Sequence, residues 1–259
     1  MKHTNILVIV IFIIGSMISN NTCSSRPISS RETPIVRVVK EYAPAVVNIR
    51  TEKIVDLKKS REWGLYGGVL DSFFQEYLGG PYSEGTLRYK SIGSGVIIDK
   101  SGLVVTNAHV IQRASHIYVV LKDGTMLQAE VMGMNQNDDL AIIKTDLPYP
   151  VKEAKFADIN DVMIGETVIA IGNPLGLENS VSVGVLSGKD RAFLSTQCTY
   201  VCSGLLQTDA PINPGNSGGA LLNLDGELIG VNLAVVQSAQ NIGFAVPVDK
   251  IVKLLKIYK

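Results

Sequence analysis

The residues with chemistry to offer are few and far apart in the chain. Gly215-Asn216-Ser217-Gly218-Gly219 sets a serine among glycines, directly before the apolar run Ala220-Leu221-Leu222. A serine hydroxyl is a weak nucleophile at its free pKa and needs a neighbouring base and somewhere to place negative charge. Glycines allow backbone angles closed to other residues, so the N–H groups of Gly215, Asn216 and Ser217 can turn toward one point and stabilise an oxyanion. For the base there are three histidines. His3 lies in the N-terminal leader and His116 opens a β-branched surface strand, which leaves His109 in Thr106-Asn107-Ala108-His109-Val110. Asp139, at the head of Leu140-Ala141-Ile142-Ile143, is the carboxylate that could accept the imidazole N–H and fix its tautomer. Asp138 reads as a turn residue. Each signal is weak alone: a Gly-Ser-Gly-Gly run is commonly a turn, and a single histidine is as readily structural. Taken together, base, carboxylate and nucleophile make up the set that acyl transfer requires.

A set so dispersed must be brought together by the fold. Between residues 92 and 248 the chain is a series of short Val/Ile-rich runs punctuated by Gly, Asp and Asn turns, the pattern of an all-β sandwich or barrel. Runs read as strands cover 45–49, 95–99, 103–106, 117–121, 126–132, 140–144, 167–171, 180–187, 220–223, 228–233 and 243–246. Two short helices are expected at the ends. One covers residues 33–43 and is stopped by Pro44; the other covers 248–258, with an apolar face of Ile251, Val252, Leu254 and Leu255. Residues 53–90 break the pattern with glycines and seven aromatics (Trp63, Tyr66, Phe73, Phe74, Tyr77, Tyr82, Tyr89), which reads as a long functional loop in the first barrel. A weak internal echo aligns residues 95–102 with 219–226, each a strand, a glycine turn and a second strand.

Composition removes other classes. With 24 Lys+Arg against 24 Asp+Glu the net charge is zero, so nothing global draws the chain to nucleic acid or an anionic membrane. At 46% hydrophobic it can bury a core. Three cysteines make neither a disulfide scaffold nor a paired zinc-ligand pattern, so no metal is expected. Residues 1–25, with the unbroken apolar run 6–14, read as a signal peptide or N-terminal anchor, leaving 26–259 as the folded domain. Export from the cytoplasm follows. The apolar run is short for a membrane span, and Thr22 and Asn20 fit poorly around Cys23 as a lipidation site, so cleaved, lipidated and anchored N-termini all stay open.

The order His109, Asp139, Ser217 is that of two-barrel chymotrypsin-like proteases, not of subtilisins or α/β-hydrolases. From residue 44 to 247 the chain resembles the HtrA/Deg family of envelope serine proteases. The resemblance rests on Pro44-Ala45-Val46-Val47-Asn48-Ile49, Ile92-Gly93-Ser94-Gly95-Val96, Thr106 to Val110, Asp139-Leu140-Ala141 and Ile171-Gly172-Asn173-Pro174-Leu175-Gly176. Further matches are Thr208-Asp209, the run from Ile212 to Gly219, Ile242 to Pro247, and the aromatic segment 71–79. It implies two six-stranded antiparallel β-barrels, with Ser217 as nucleophile, His109 as general acid/base and Asp139 as orienting carboxylate. It also implies an oxyanion hole at the Gly215–Ser217 backbone, unfolded or misfolded polypeptides as substrates, a homotrimer, and no cofactor.

Departures from the family matter too. Eleven residues follow Val248, too few for the PDZ domain that many members carry, so none is expected in this chain. Pro211 and Ala220 replace the usual alanine and proline near the nucleophile. Pro211 also stands six residues before Ser217, where trypsin-like enzymes place an acid, so Lys and Arg are not the expected cleavage residues. Ile212, Leu233 and Ala234 suggest instead a small apolar pocket for aliphatic side chains. Cys198 and Cys202, with three residues between them, could close a small disulfide if their loop curls. Loops near 173–187, 195–216 and 235–241 would carry a disorder-to-order control. A holdase of the same fold with an idle set of three residues is the second reading, and an esterase the third.

Overall fold

In the structure, a computed structural model, the described residues are 31–56, 86–112, 114–173, 179–194, 201–213, 215–235 and 241–258. The leader with Cys23, most of the aromatic segment, Pro214 and Cys198 lie outside them.

Helix α1 (Pro34–Tyr42) starts where Thr33 accepts a hydrogen bond from the Val36 N–H and where Pro34 supplies a pre-set φ. Val38 and Tyr42 point inward, and a 3₁₀ turn at Ala43–Ala45 leads into the first barrel. That barrel contains β1 (Val46–Asp56), β2 (Thr86–Asp99), β3 (Leu103–Thr106), β4 (His116–Val120), β5 (Met126–Asn135) and β6 (Leu140–Thr145). It closes in the order β1-β2-β3-β6-β5-β4. A two-residue strand β7 (Lys155–Phe156) then pairs in parallel with Glu227 and Leu228 of the second barrel.

The second barrel contains β8 (Thr167–Gly172), β9 (Ser180–Leu194), β10 (Val201–Thr208), β11 (Ala220–Leu222), β12 (Glu227–Val235) and β13 (Gly243–Pro247). Its ring is β8-β9-β10-β13-β12-β11, closed by the β11–β8 pair. Substituting β8–β13 for β1–β6 reproduces the first ring, so the two barrels share one topology. The internal echo is not that repeat: its segments are the β2–β3 and β11–β12 hairpins, which occupy different places in the two rings.

Strand alternation explains how these barrels pack. Successive side chains on a strand point to opposite faces. Val47, Ile97, Val104 and Ile143 fill the first barrel, and Val168, Ala170, Leu221, Ile229 and Ala245 fill the second. Their immediate neighbours Val46, Val96, Val105, Ile142, Ile169, Ile171, Leu222, Leu228 and Val246 form a third apolar layer, shared between the barrels. Both faces of these strands are therefore dry, which is why they read as continuous apolar runs. The C-terminal helix α3 (Val248–Tyr258) adds Ile251 and Leu254 to the shared layer.

Three elements differ from expectation. The segment 53–90 is not all loop, because β1 and β2 stay paired from Val46↔Val96 to Asp56↔Thr86. Strand β10 was not anticipated: Cys202, Ser203 and Gly204 interrupt its apolar pattern, and Gly204 takes a φ of 63° beside a bulge. A one-turn helix, α2 (Ala108–Ile111), stands where a strand end was expected and carries His109. Among the described residues, no helix is long and apolar enough to cross a membrane.

Because one apolar layer serves both barrels, Leu222→Ala, at a side chain 1% exposed, should lower stability by about 2–5 kcal/mol. Urea unfolding followed by fluorescence and circular dichroism should show both barrels lost in a single shifted transition.

Candidate active site

His109 sits in the first turn of α2, where helix N–H groups lack intrahelical partners. Asp139, from the turn before β6, supplies them. Its backbone carbonyl accepts from Ala108 N–H (3.1 Å) and Asn107 Nδ2 (3.0 Å). One carboxylate oxygen accepts from His109 N–H at 2.8 Å, and the other meets His109 Nδ1 at 2.6 Å. An ionised carboxylate only accepts, so Nδ1 carries the proton and Nε2 of the neutral ring is left free to accept one. The Asp139 side chain is 4% exposed and that of His109 17%. Asp139 also holds a φ of 50°, a left-handed conformation tolerated by Asp and closed by its N–H bond to Gln136 O (3.2 Å).

Ser217 comes from the second barrel, in the loop entering β11. Gly215 and Gly218, with φ of 93° and 84°, make its sharp bends. At Gly218 a Cβ would lie 2.1 Å from Ser94 O, so no side chain fits. Ser94, on β2 of the first barrel and fully buried, holds this loop. Its N–H donates to Ser217 O (2.8 Å) and its hydroxyl to Gly215 O (2.6 Å), while the Asn173 N–H donates to that same hydroxyl at 2.8 Å. Behind the loop, Asn232 bonds Gly218 and Gly219 through its backbone and Ala220 O through its side chain. The hydroxyl of Ser217 donates to Leu233 O at 2.9 Å, where β12 bulges between Asn232 and Ala234.

The family model for the trypsin-like peptidase domain matches residues 93–231, a stretch that includes His109, Asp139 and Ser217. The chain belongs to the trypsin-like peptidases, and the proteins it is similar to include DegP- and HtrA-type proteases. It is 39% identical over 233 residues to the putative serine protease HhoA of Synechocystis sp., covering 88% of this chain and 57% of that protein. It is 35% identical over 251 residues to the periplasmic serine endoprotease DegP of Salmonella typhimurium, covering 89% and 52%. Among solved structures, the HtrA-type protease AlgW with a tripeptide superposes with a TM-score of 0.66 at 33% identity, covering 86% of this chain and 62% of that one. The chain thus spans about half the length of the curated relatives it matches.

Within this trypsin-like peptidase fold, three expectations change. Asn216 is not an oxyanion donor, because its N–H donates to Asn213 O (2.9 Å) in a turn. The N–H groups of Gly215 and Ser217 have no partner among the described residues. Two of the proposed pocket residues are buried in different layers: Ile212, 3% exposed, packs inside the second barrel, and Leu233, 2% exposed, packs in the layer between barrels. The Ala234 side chain lies outside the described residues. Cys202 is a free thiol, 2% exposed and packed in the interbarrel layer, so it does not bridge to Cys198. Sequence reasoning missed Ser94, Asn173 and Asn232. The signal for Ser94 was a polar residue between Gly93 and Gly95 within an apolar strand.

Ser94→Ala would leave the Asn173 N–H and the Gly215 carbonyl unpaired in a buried site, at about 1–3 kcal/mol for each group left unsatisfied. Urea denaturation should show the loss, and a fluorophosphonate should label Ser217 more slowly than in the wild type at a temperature where both proteins are folded.

Proposed function

We propose that the protein is a serine endopeptidase that hydrolyses unfolded or misfolded polypeptides in the cell envelope. The observation that carries this reading is the His109–Asp139 pair: a buried carboxylate on Nδ1 leaves Nε2 as a base on the side of the ring away from it. Ser217 attacks the scissile carbonyl once its hydroxyl turns from Leu233 O to that nitrogen. Nε2 takes the proton as the Oγ–carbon bond forms, and the carbonyl oxygen, now negative, is met by the N–H groups of Gly215 and Ser217. His109 then protonates the leaving amine, and a water activated by the same ring releases the acyl group. Asp139 keeps the imidazole oriented and stabilises its cationic form.

Pro211, exposed and bonded through its carbonyl to the Ser182 hydroxyl (2.6 Å), offers no charge for a basic side chain, which supports cleavage after small or medium aliphatic residues. The periplasmic naming of relatives supports an envelope location, with the N-terminal segment as a signal peptide or membrane tether. Val181, Val183 and Val185, 37–40% exposed along one face of β9, are an apolar stripe suited to self-association as a homotrimer. No cofactor enters the mechanism.

Unfolded casein and a fluorophosphonate probe test the reading. The wild type should degrade casein and take the label, and Ser217→Ala should do neither. Asp139→Asn, which upsets the imidazole tautomer, should lower kcat by roughly 10³–10⁴-fold. A positional peptide library should show aliphatic cleavage residues, and dominant cleavage after Arg or Lys would contradict the assignment. Protection of casein from aggregation without cleavage would point to a holdase, and ester cleavage with casein left intact to an esterase.

A further inference from the structure

The turn that presents Asp139 is held from its far side by a residue more than a hundred positions away. Asn135, at the end of β5, accepts the N–H groups of Asn137 (3.0 Å) and Asp138 (3.2 Å) on its Oδ1 and donates its Nδ2 to Asp138 Oδ2 at 2.7 Å. The other oxygen of Asp138 meets the Lys250 ammonium at 2.7 Å. Lys250 stands on the first turn of α3, and its Nζ also donates to Ser203 O on β10 at 2.5 Å. One cation therefore joins a turn of the first barrel, a strand of the second and the C-terminal helix. The pair is sheltered, with the Lys250 side chain 16% exposed and that of Asp138 28%. Helix α3 is itself fixed on both barrels: Ile251 and Leu254 enter the shared layer, and the Tyr258 ring lies so close over Gly133 of β5 that a Cβ there would overlap it.

We propose that Lys250 and Asp138 are a positioning pair for Asp139. The inference rests on the peptidase reading, in which Asp139 orients His109. Asp138 is covalently next to Asp139, so clamping its carboxylate at both oxygens fixes the peptide between them. Asp139 needs that restraint, because a non-glycine residue at a φ of 50° keeps its conformation only where its surroundings over-determine it. A relaxation of the turn would carry the carboxylate off His109 Nδ1, which it meets at 2.6 Å. It would not disturb the Ser217 loop, which is held separately through Ser94. Lys250 also makes α3 a handle on the acid of the site: a displacement of the helix is passed to the turn through one ion pair.

The split between these two supports gives the test. Lys250→Met keeps the aliphatic stem and removes the charge. With an aliphatic peptide substrate it should lower kcat by about tenfold or more, the scale on which small misplacements act, while KM stays within about twofold. Lys250→Arg, which can still reach both acceptors, should restore most of the loss. The low-field proton resonance of the His109–Asp139 hydrogen bond should broaden in Lys250→Met and return in Lys250→Arg. If Lys250→Met does not fold, Asp138→Asn, which keeps the shape and removes the charge, must show the same split. Wild-type kcat in either folded variant overturns the proposal, as does a loss of melting temperature with kcat, KM and the resonance unchanged. Failure of the peptidase reading looks different: the wild type would then match Ser217→Ala in casein degradation and probe labelling, and the His109 resonance would still report whether the pair holds the turn.

Discussion

Ser94, buried in the first barrel, reaches into the second and holds the loop that carries Ser217, and the geometry of the whole site depends on that contact. His109 and Asp139 belong to one barrel and Ser217 to the other, so the relative placement of the proposed base and nucleophile is the relative placement of two separately closed sheets. A shared apolar layer brings those sheets together, but hydrophobic packing is non-directional and tolerates small slides. The hydrogen bonds that one buried residue donates to Ser217 O and Gly215 O and accepts from the Asn173 N–H do not. Their net contribution is about 0.5–1.5 kcal/mol each, yet leaving such groups unmade in a dry interface costs more, so the loop has one low-energy position. Thr106 extends the constraint: its hydroxyl donates to Ser94 O at 2.7 Å, and the His109 helix begins two residues later.

Much of this was legible in the sequence, and what was hidden follows a pattern. Short apolar runs between glycine and aspartate turns were enough for an all-β sandwich or barrel, the family resemblance implied the pair of barrels, and the helix at 248–258 matches the structure residue for residue because its apolar face repeats every three to four positions. Ser217, His109 and Asp139 could be named because, though each is a weak signal alone, their combination, chain order and family resemblance agree. The direction in which a barrel side chain points was not legible where both faces are dry. Ile212 and Leu233 looked like pocket residues, whereas one faces a barrel interior and the other the interbarrel layer, and nothing in a continuous apolar run tells the two apart. The bulge at Leu233 and the conformation of Gly204 in β10 are local backbone events set by tertiary pairing. The link between Lys250 and Asp138 spans distant segments, each of which looks like an ordinary surface charge by itself.

The Asp139 turn and the Ser217 loop divide the site into halves that folding prepares to different degrees. A left-handed aspartate costs about 1–3 kcal/mol of backbone strain, which its hydrogen bonds to the α2 terminus and the imidazole offset. Those bonds satisfy helix N–H groups and the imidazole N–H together, so capping the helix and orienting the base are one structural event. The base half is therefore in place without substrate.

The nucleophile half is ordered but turned aside, because the Ser217 hydroxyl rests on Leu233 O and not on the imidazole. Turning it to the imidazole would exchange one neutral hydrogen bond for another. The loop around it is already fixed by Ser94 and by the bends at Gly215 and Gly218.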